Sequence, residues 1–69
     1  MPCQIRLNGR SEQLSDDVRT VHQLLAVKGV NPARVAVELN RRILPRNQFE
    51  STSLSAGDVV EVVTFVGGG

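Results

Sequence analysis

The residues from Val59 to Gly69 constrain this chain more than any others. Val59-Val60-Glu61-Val62-Val63-Thr64-Phe65-Val66 is the densest apolar run in the sequence, and Gly67, Gly68 and Gly69 follow it directly. A run with so few polar residues reads as an interior strand with both faces at least partly covered. Any fold built on it needs neighbouring strands on both sides and a layer over at least one face. Glycine pays the largest backbone entropy on ordering, so three glycines beyond a strand predict a mobile, slender tail. Fully extended, that tail reaches about 10 Å from the body, at roughly 3.3–3.6 Å per residue. It presents one chemical group, the terminal carboxylate of Gly69.

The chain has 69 residues, the size of one small domain. Such a domain buries only about 60% of its unfolded surface yet folds without staples. The expected division is a domain over residues 1–66 and a flexible tail over 67–69. Phe49 and Phe65 are the only aromatics, so the core must be aliphatic. The net charge of +1 gives no reason to expect a nucleic-acid or membrane partner. Arg41, Arg42 and Arg46 gather locally, but without interleaved aromatics or a basic helix they read as a solvated loop. Cys3 is the only cysteine, so no internal disulfide is possible, which fits a reducing compartment. There is no signal-peptide pattern and no apolar run of transmembrane length. A soluble, cytoplasmic chain is the simplest expectation.

Cys3-Gln4-Ile5-Arg6-Leu7 alternates apolar and polar, the pattern of a strand with one buried face. Asn8-Gly9 is a strong hairpin signal because both residues tolerate positive φ, and Ser11 to Leu14 is the returning strand, ended by Asp16-Asp17. Thr20 is a good N-cap, and Gln23 completes a Thr-x-x-Gln capping box. Val21, Leu24 and Leu25 then share one helical face, and Lys28 lies near the negative end of the helix dipole. Gly29 is placed for a left-handed cap, and Pro32 blocks continuation. Val35 to Leu39 reads as a strand with Val35, Val37 and Leu39 on one side. Asn40-Arg41-Arg42 turns the chain into a short strand, Ile43-Leu44, which Pro45 ends as befits a sheet edge. Arg46 to Ser55 is irregular, with Phe49 and Leu54 expected to cover one end of the core. Ala56-Gly57-Asp58 turns into the last strand.

This order is hairpin, helix, strand, short strand, long strand. The helix lets the first and last strands lie side by side and parallel through a crossover. The expected fold is α+β: a β-grasp, ubiquitin-like roll, with a mixed four- to five-stranded sheet and one main helix on one face. One helix covers only one face. In the last strand Val60, Val62, Thr64 and Val66 share one side, and Val59, Glu61, Val63 and Phe65 the other. A charged Glu61 does not belong in the helix–sheet core. Glu61, Val63 and Phe65 therefore form a candidate docking patch on the open face, flanked by Gln4, Arg6, Ala36 and Glu38.

No catalytic machinery is legible. Cys3 shares a side with Ile5 and Leu7 and reads as a small buried hydrophobe. His22, just after the helix cap, reads as an exposed helix residue. One histidine and one cysteine cannot make a tetrahedral zinc site, and no phosphate-binding loop is present. That leaves the C-terminus. A carboxylate is a poor electrophile, and adenylation activates it by creating AMP as a leaving group. A sulfur nucleophile can then displace AMP and leave a thiocarboxylate. Glycine has no side chain to obstruct a narrow channel. The chain then reads as a handle that carries Gly69 into another protein's active site, with no catalysis of its own.

Taken together, Ile5-x-Leu7-Asn8-Gly9, Thr20-Val21-x-x-Leu24-Leu25, Val35-Ala36-Val37-Glu38-Leu39-Asn40, Ile43-Leu44-Pro45-Arg46 and Leu54-x-x-Gly57-Asp58-x-Val60-Glu61-Val62-Val63, running into Gly67-Gly68-Gly69, resemble the ThiS sulfur-carrier family of thiamin biosynthesis. The Asn40-Arg41-Arg42 turn departs from it, with an extra positive charge where a small or acidic residue is expected. The resemblance implies that Gly69 is adenylated with ATP and Mg²⁺ by a ThiF-type adenylyltransferase, with no cofactor bound by this chain. It implies conversion to a thiocarboxylate, with sulfur from cysteine through a desulfurase or another donor. It also implies delivery to thiazole synthase, ThiG, by a carrier that is monomeric when free. Gly67, Gly68 and Gly69 would enter the partner's active site. A molybdopterin-type or cysteine-biosynthesis sulfur carrier, a ubiquitin-like protein modifier and a plain interaction module remain as alternatives.

Overall fold

The structure, a computed structural model, describes residues 3–65. Val66, the expected end of the last strand, and the expected tail Gly67, Gly68 and Gly69 lie outside the described residues.

Two hairpins are made by the same local chemistry. Asn8 and Gly9 take φ of 50° and 84°, the paired positive values of a two-residue hairpin turn. They join β1 (Cys3–Leu7) to β2 (Arg10–Leu14), with Leu7 opposite Arg10. So tight a turn starts β2 at Arg10, one residue before the expected Ser11. Asn40 and Arg41 take φ of 51° and 69° and join β3 (Val35–Leu39) to β4 (Arg42–Leu44). Here too the turn needs only two residues, so Arg42 pairs with Leu39 instead of belonging to the loop.

The helix α1 (Val21–Val27) is capped at both ends. Thr20 Oγ1 accepts from the Gln23 N–H at 3.1 Å, and Gln23 Oε1 accepts from the Thr20 N–H at 3.1 Å. This is the reciprocal box that the sequence predicts. At the other end Gly29 adopts φ 69°. Its N–H donates to the Ala26 carbonyl at 3.1 Å, and the Val30 N–H donates to the Leu25 carbonyl at 2.9 Å, a complete Schellman motif. Lys28 Nζ reaches Glu12 Oε2 at 2.6 Å and ties the end of α1 to β2. Both side chains keep about a third of their surface in water, so this pair contributes little, roughly 0.2–1 kcal/mol.

The five strands form one sheet in the order β2-β1-β5-β3-β4, with β5 (Val59–Thr64) in the middle. β1 and β5 are parallel and every other pairing is antiparallel. This is the β-grasp roll. Ile5, Val35, Val37 and Val60 from the sheet meet Val21, Leu24 and Leu25 from α1, and Leu14, Val18 and Phe49 close the ends. Burying each such aliphatic side chain contributes about 1.5–3 kcal/mol. Phe49 is 2% exposed, and Leu54 packs against the same cluster. Cys3 is half-buried at the core's margin. Val18 is a core residue that the strand and helix patterns did not assign; it lies in the turn between β2 and α1, where its N–H donates to the Ser15 carbonyl. His22 departs from its expected exposure and is half-buried. The segment holding Phe49 lies over the helix start, and the His22 N–H donates to the Phe49 carbonyl at 3.0 Å.

Candidate functional site

The open face is built around β5. Period-2 alternation puts Val60 in the core, at 0% exposure, and Val62 half-buried beside it. Glu61, Val63 and Phe65 turn outward, with Val63 at 60% and Phe65 at 59% exposure. Register then identifies their neighbours. Ala36 lies opposite Val63 and Glu38 opposite Glu61, Ile43 lies opposite Glu38, and Arg6 lies opposite Val59. The face thus carries more apolar surface than the sequence assigned to it. Ile43 is 70% exposed and Val59 39%. The missed signal at Ile43 was register, because only the two-residue turn fixes which side of β4 it takes.

Two asparagines that the sequence offered only as turn residues also hold β5 in place. Asn8 Oδ1 accepts from the Val62 N–H at 2.7 Å, and the Asn8 N–H donates to the Val60 carbonyl at 2.9 Å. On the other side Asn40 Oδ1 accepts from the Val59 N–H at 2.9 Å, and the Asn40 N–H donates to the Val59 carbonyl at 2.8 Å. The left-handed conformation at each hairpin tip swings the amide back over the central strand. The central strand β5 is therefore gripped from both flanks. Phe65, the last described residue, is fixed by its N–H to the Arg34 carbonyl at 2.9 Å.

Chemistry is sparse within the described residues. No group of three or more His, Cys, Asp and Glu gathers as a metal site among them. No buried side-chain nitrogen or oxygen there lacks a hydrogen-bond partner. No helix among them is long and apolar enough to cross a membrane. Of the expected site residues, Glu61 and Val63 share the outward side of β5, and Phe65, one residue past the end of that strand, is exposed. Gly67, Gly68 and Gly69 lie outside the described residues.

The model of the ThiS family matches residues 4–69, nearly the whole chain including the last glycine. The chain belongs to the ThiS family. It is 35% identical over 65 residues to the sulfur carrier protein ThiS of Bacillus subtilis, covering 94% of this chain and 98% of that one. A crystal structure of the thiamine biosynthesis protein ThiS from Geobacter metallireducens superposes with a TM-score of 0.78 at 35% identity, covering 96% of this chain and 99% of that one. A further relative is larger. The thiazole synthase of Paramagnetospirillum magneticum is 38% identical over 63 residues, which are 91% of this chain, and the chain spans 19% of that relative's length. The ThiS family therefore includes the fold seen here as a free-standing domain, and a similar segment occurs within a longer chain.

Proposed function

We propose that this chain is a sulfur carrier for the thiazole branch of thiamin biosynthesis, acting through the Gly69 carboxylate and not as a catalyst. The observation that carries the reading is the family match, which runs through the tail to residue 69. The fold supports it: the central strand, gripped by Asn8 and Asn40, is the last strand before that end in the sequence. In this reading a ThiF-type adenylyltransferase uses ATP and Mg²⁺ to join AMP to the Gly69 carboxylate, releasing pyrophosphate. A desulfurase takes sulfur from cysteine as a protein persulfide. The persulfide displaces AMP to give an acyl disulfide, and a second thiol then attacks that S–S bond, forming a new disulfide and releasing the thiocarboxylate. Glycines at 67, 68 and 69 offer no side chain to block the partner's channel, and Glu61, Val63 and Phe65 meet the partner's surface. Thiazole synthase is the proposed acceptor. Two proteins named thiazole synthase contain a segment similar to this chain, over 19% and 20% of their lengths, and covalent joining of two functions supports their working together.

Intact-mass spectrometry tests the proposal. The purified chain is incubated with a ThiF-type enzyme, ATP, Mg²⁺ and a cysteine-derived sulfur donor. The expected product has one carboxylate oxygen replaced by sulfur. Branched peptides ending in Gly-Gly on other proteins would instead support a ubiquitin-like modifier, and an unaltered terminus under all conditions would leave only an interaction module.

A further inference from the structure

The open face sets two like charges opposite each other on neighbouring strands. Antiparallel pairing sets Glu38 on β3 directly opposite Glu61 on β5, and side chains so placed have Cβ atoms about 5 Å apart. Among the described residues, neither carboxylate has a hydrogen-bond or ion-pair partner. Arg6 lies on the same face of β1, yet it makes no ion pair with either. Like charges directly opposite one another destabilise a sheet.

The surroundings of this pair are the reverse of a solvated charged surface. Ile43 lies across from Glu38, Val63 follows Glu61 on the same side of β5, and Phe65 comes just after the strand ends; all three are at least 59% exposed. A partner that covers these apolar side chains must cover the two carboxylates as well. Burying unpaired charge is strongly unfavourable, so the covering surface has to bring a cation. A guanidinium suits the position best, since its planar fork donates to two carboxylates at once.

We infer that Glu38 and Glu61 form a socket for an arginine side chain of the protein that docks on this face. On the sulfur-carrier reading, on which the partner's identity rests, that protein is the ThiF-type activating enzyme. The mutual repulsion of the pair in the free chain is relieved only in the complex.

The test exploits the opposite signs this predicts. Glu38→Gln, Glu61→Gln and Glu61→Arg are compared with the native chain by thermal melting and by calorimetric titration into the purified activating enzyme. Each variant should melt at a higher temperature than the native chain. Each should also bind at least about tenfold more weakly at low salt, with the difference shrinking as salt rises. Glu61→Arg should be the most stable and the weakest binder, because it creates an attractive pair with Glu38. Binding that is unchanged or tighter in the variants overturns the inference, as does self-association of the native chain through this face or failure of the native chain to bind the enzyme. If the variants bind normally while the native chain still gains the thiocarboxylate, the socket is wrong and the carrier function stands. If the native chain binds but is never converted, the carrier function falls and the socket is judged on the affinities alone.

Discussion

Asn40 and Asp58 lock the start of the central strand: Asn40 Nδ2 donates to Asp58 Oδ1 at 3.0 Å while Asn40 Oδ1 accepts from the Val59 N–H. Asp58 Oδ2 in turn accepts from the Ser55 N–H at 2.7 Å. One turn residue thus joins the β3–β4 hairpin to the loop that leads into β5. Asn40→Ala removes both bonds of the Asn40 side chain and forces a Cβ-bearing residue without a local side-chain bond into the left-handed region. The expected loss is about 2–4 kcal/mol. Asn40→Gly keeps the backbone conformation and should lose less, about 1–2 kcal/mol. Urea denaturation checks both, with an unchanged slope indicating that the native surface is preserved.

Arg41 follows Asn40 at φ 69°. Unlike asparagine, arginine has no short side chain to bond its own backbone there, and this conformation costs an L-residue roughly 1–2 kcal/mol. Part of the gain from Arg41→Gly is offset by the greater freedom of glycine in the unfolded chain. The net expectation is a stabilisation of about 0.5–1 kcal/mol, read as a higher urea midpoint. An unchanged or lower midpoint would mean that the arginine side chain contributes to the native state.

These two residues show where the sequence was legible. The Asn8-Gly9 hairpin, the Thr20-Gln23 capping box and the Gly29 cap rest on neighbours within a few positions, and each forms as its residues predict. The placement of β5 in the sheet centre followed from its continuous apolar character. In the sequence Asn40-Arg41-Arg42 reads only as a three-residue turn, because arginine does not advertise positive φ. The bond from Asn8 to Val62 spans 54 positions, and no local pattern carries that information. The confrontation of Glu38 with Glu61 and the exposure of Ile43 follow from register, which the two hairpin turns fix only once their lengths are known. Val18 was missed because a lone valine in a turn has no periodicity to declare it.

Phe49 and Phe65, the only two aromatics, provide an internal contrast. Phe49 is 2% exposed and Phe65 59%. Phe49→Ala should cost about 3–5 kcal/mol, the range for deleting a buried aromatic side chain. Phe65→Ala should change stability by less than about 0.5 kcal/mol, the range for an exposed surface position. Its effect belongs in binding: affinity for the activating enzyme should fall, as expected for an exposed aromatic that becomes buried against a partner. Denaturation of both variants and calorimetry of Phe65→Ala decide this. A large loss of stability in Phe65→Ala would overturn the assignment of the open face.

The last prediction separates the domain from the chemistry proposed for its end. Among the described residues the buried core runs from Ile5 to Val60, and shortening the chain after Gly68 removes none of these residues. Deleting Gly69, or appending one residue after it, should leave the urea midpoint within about 0.5 kcal/mol of the native value. Either change moves the carboxylate along the chain by one residue, about 3.3–3.6 Å when extended. Displacements of even 1 Å at a reacting centre can cost about a hundredfold in rate. Adenylate formation, followed as ATP-dependent pyrophosphate release with the activating enzyme present, should therefore be lost in both variants although both stay folded. Undiminished pyrophosphate release from the chain ending at Gly68 would show that the enzyme does not read the position of this carboxylate.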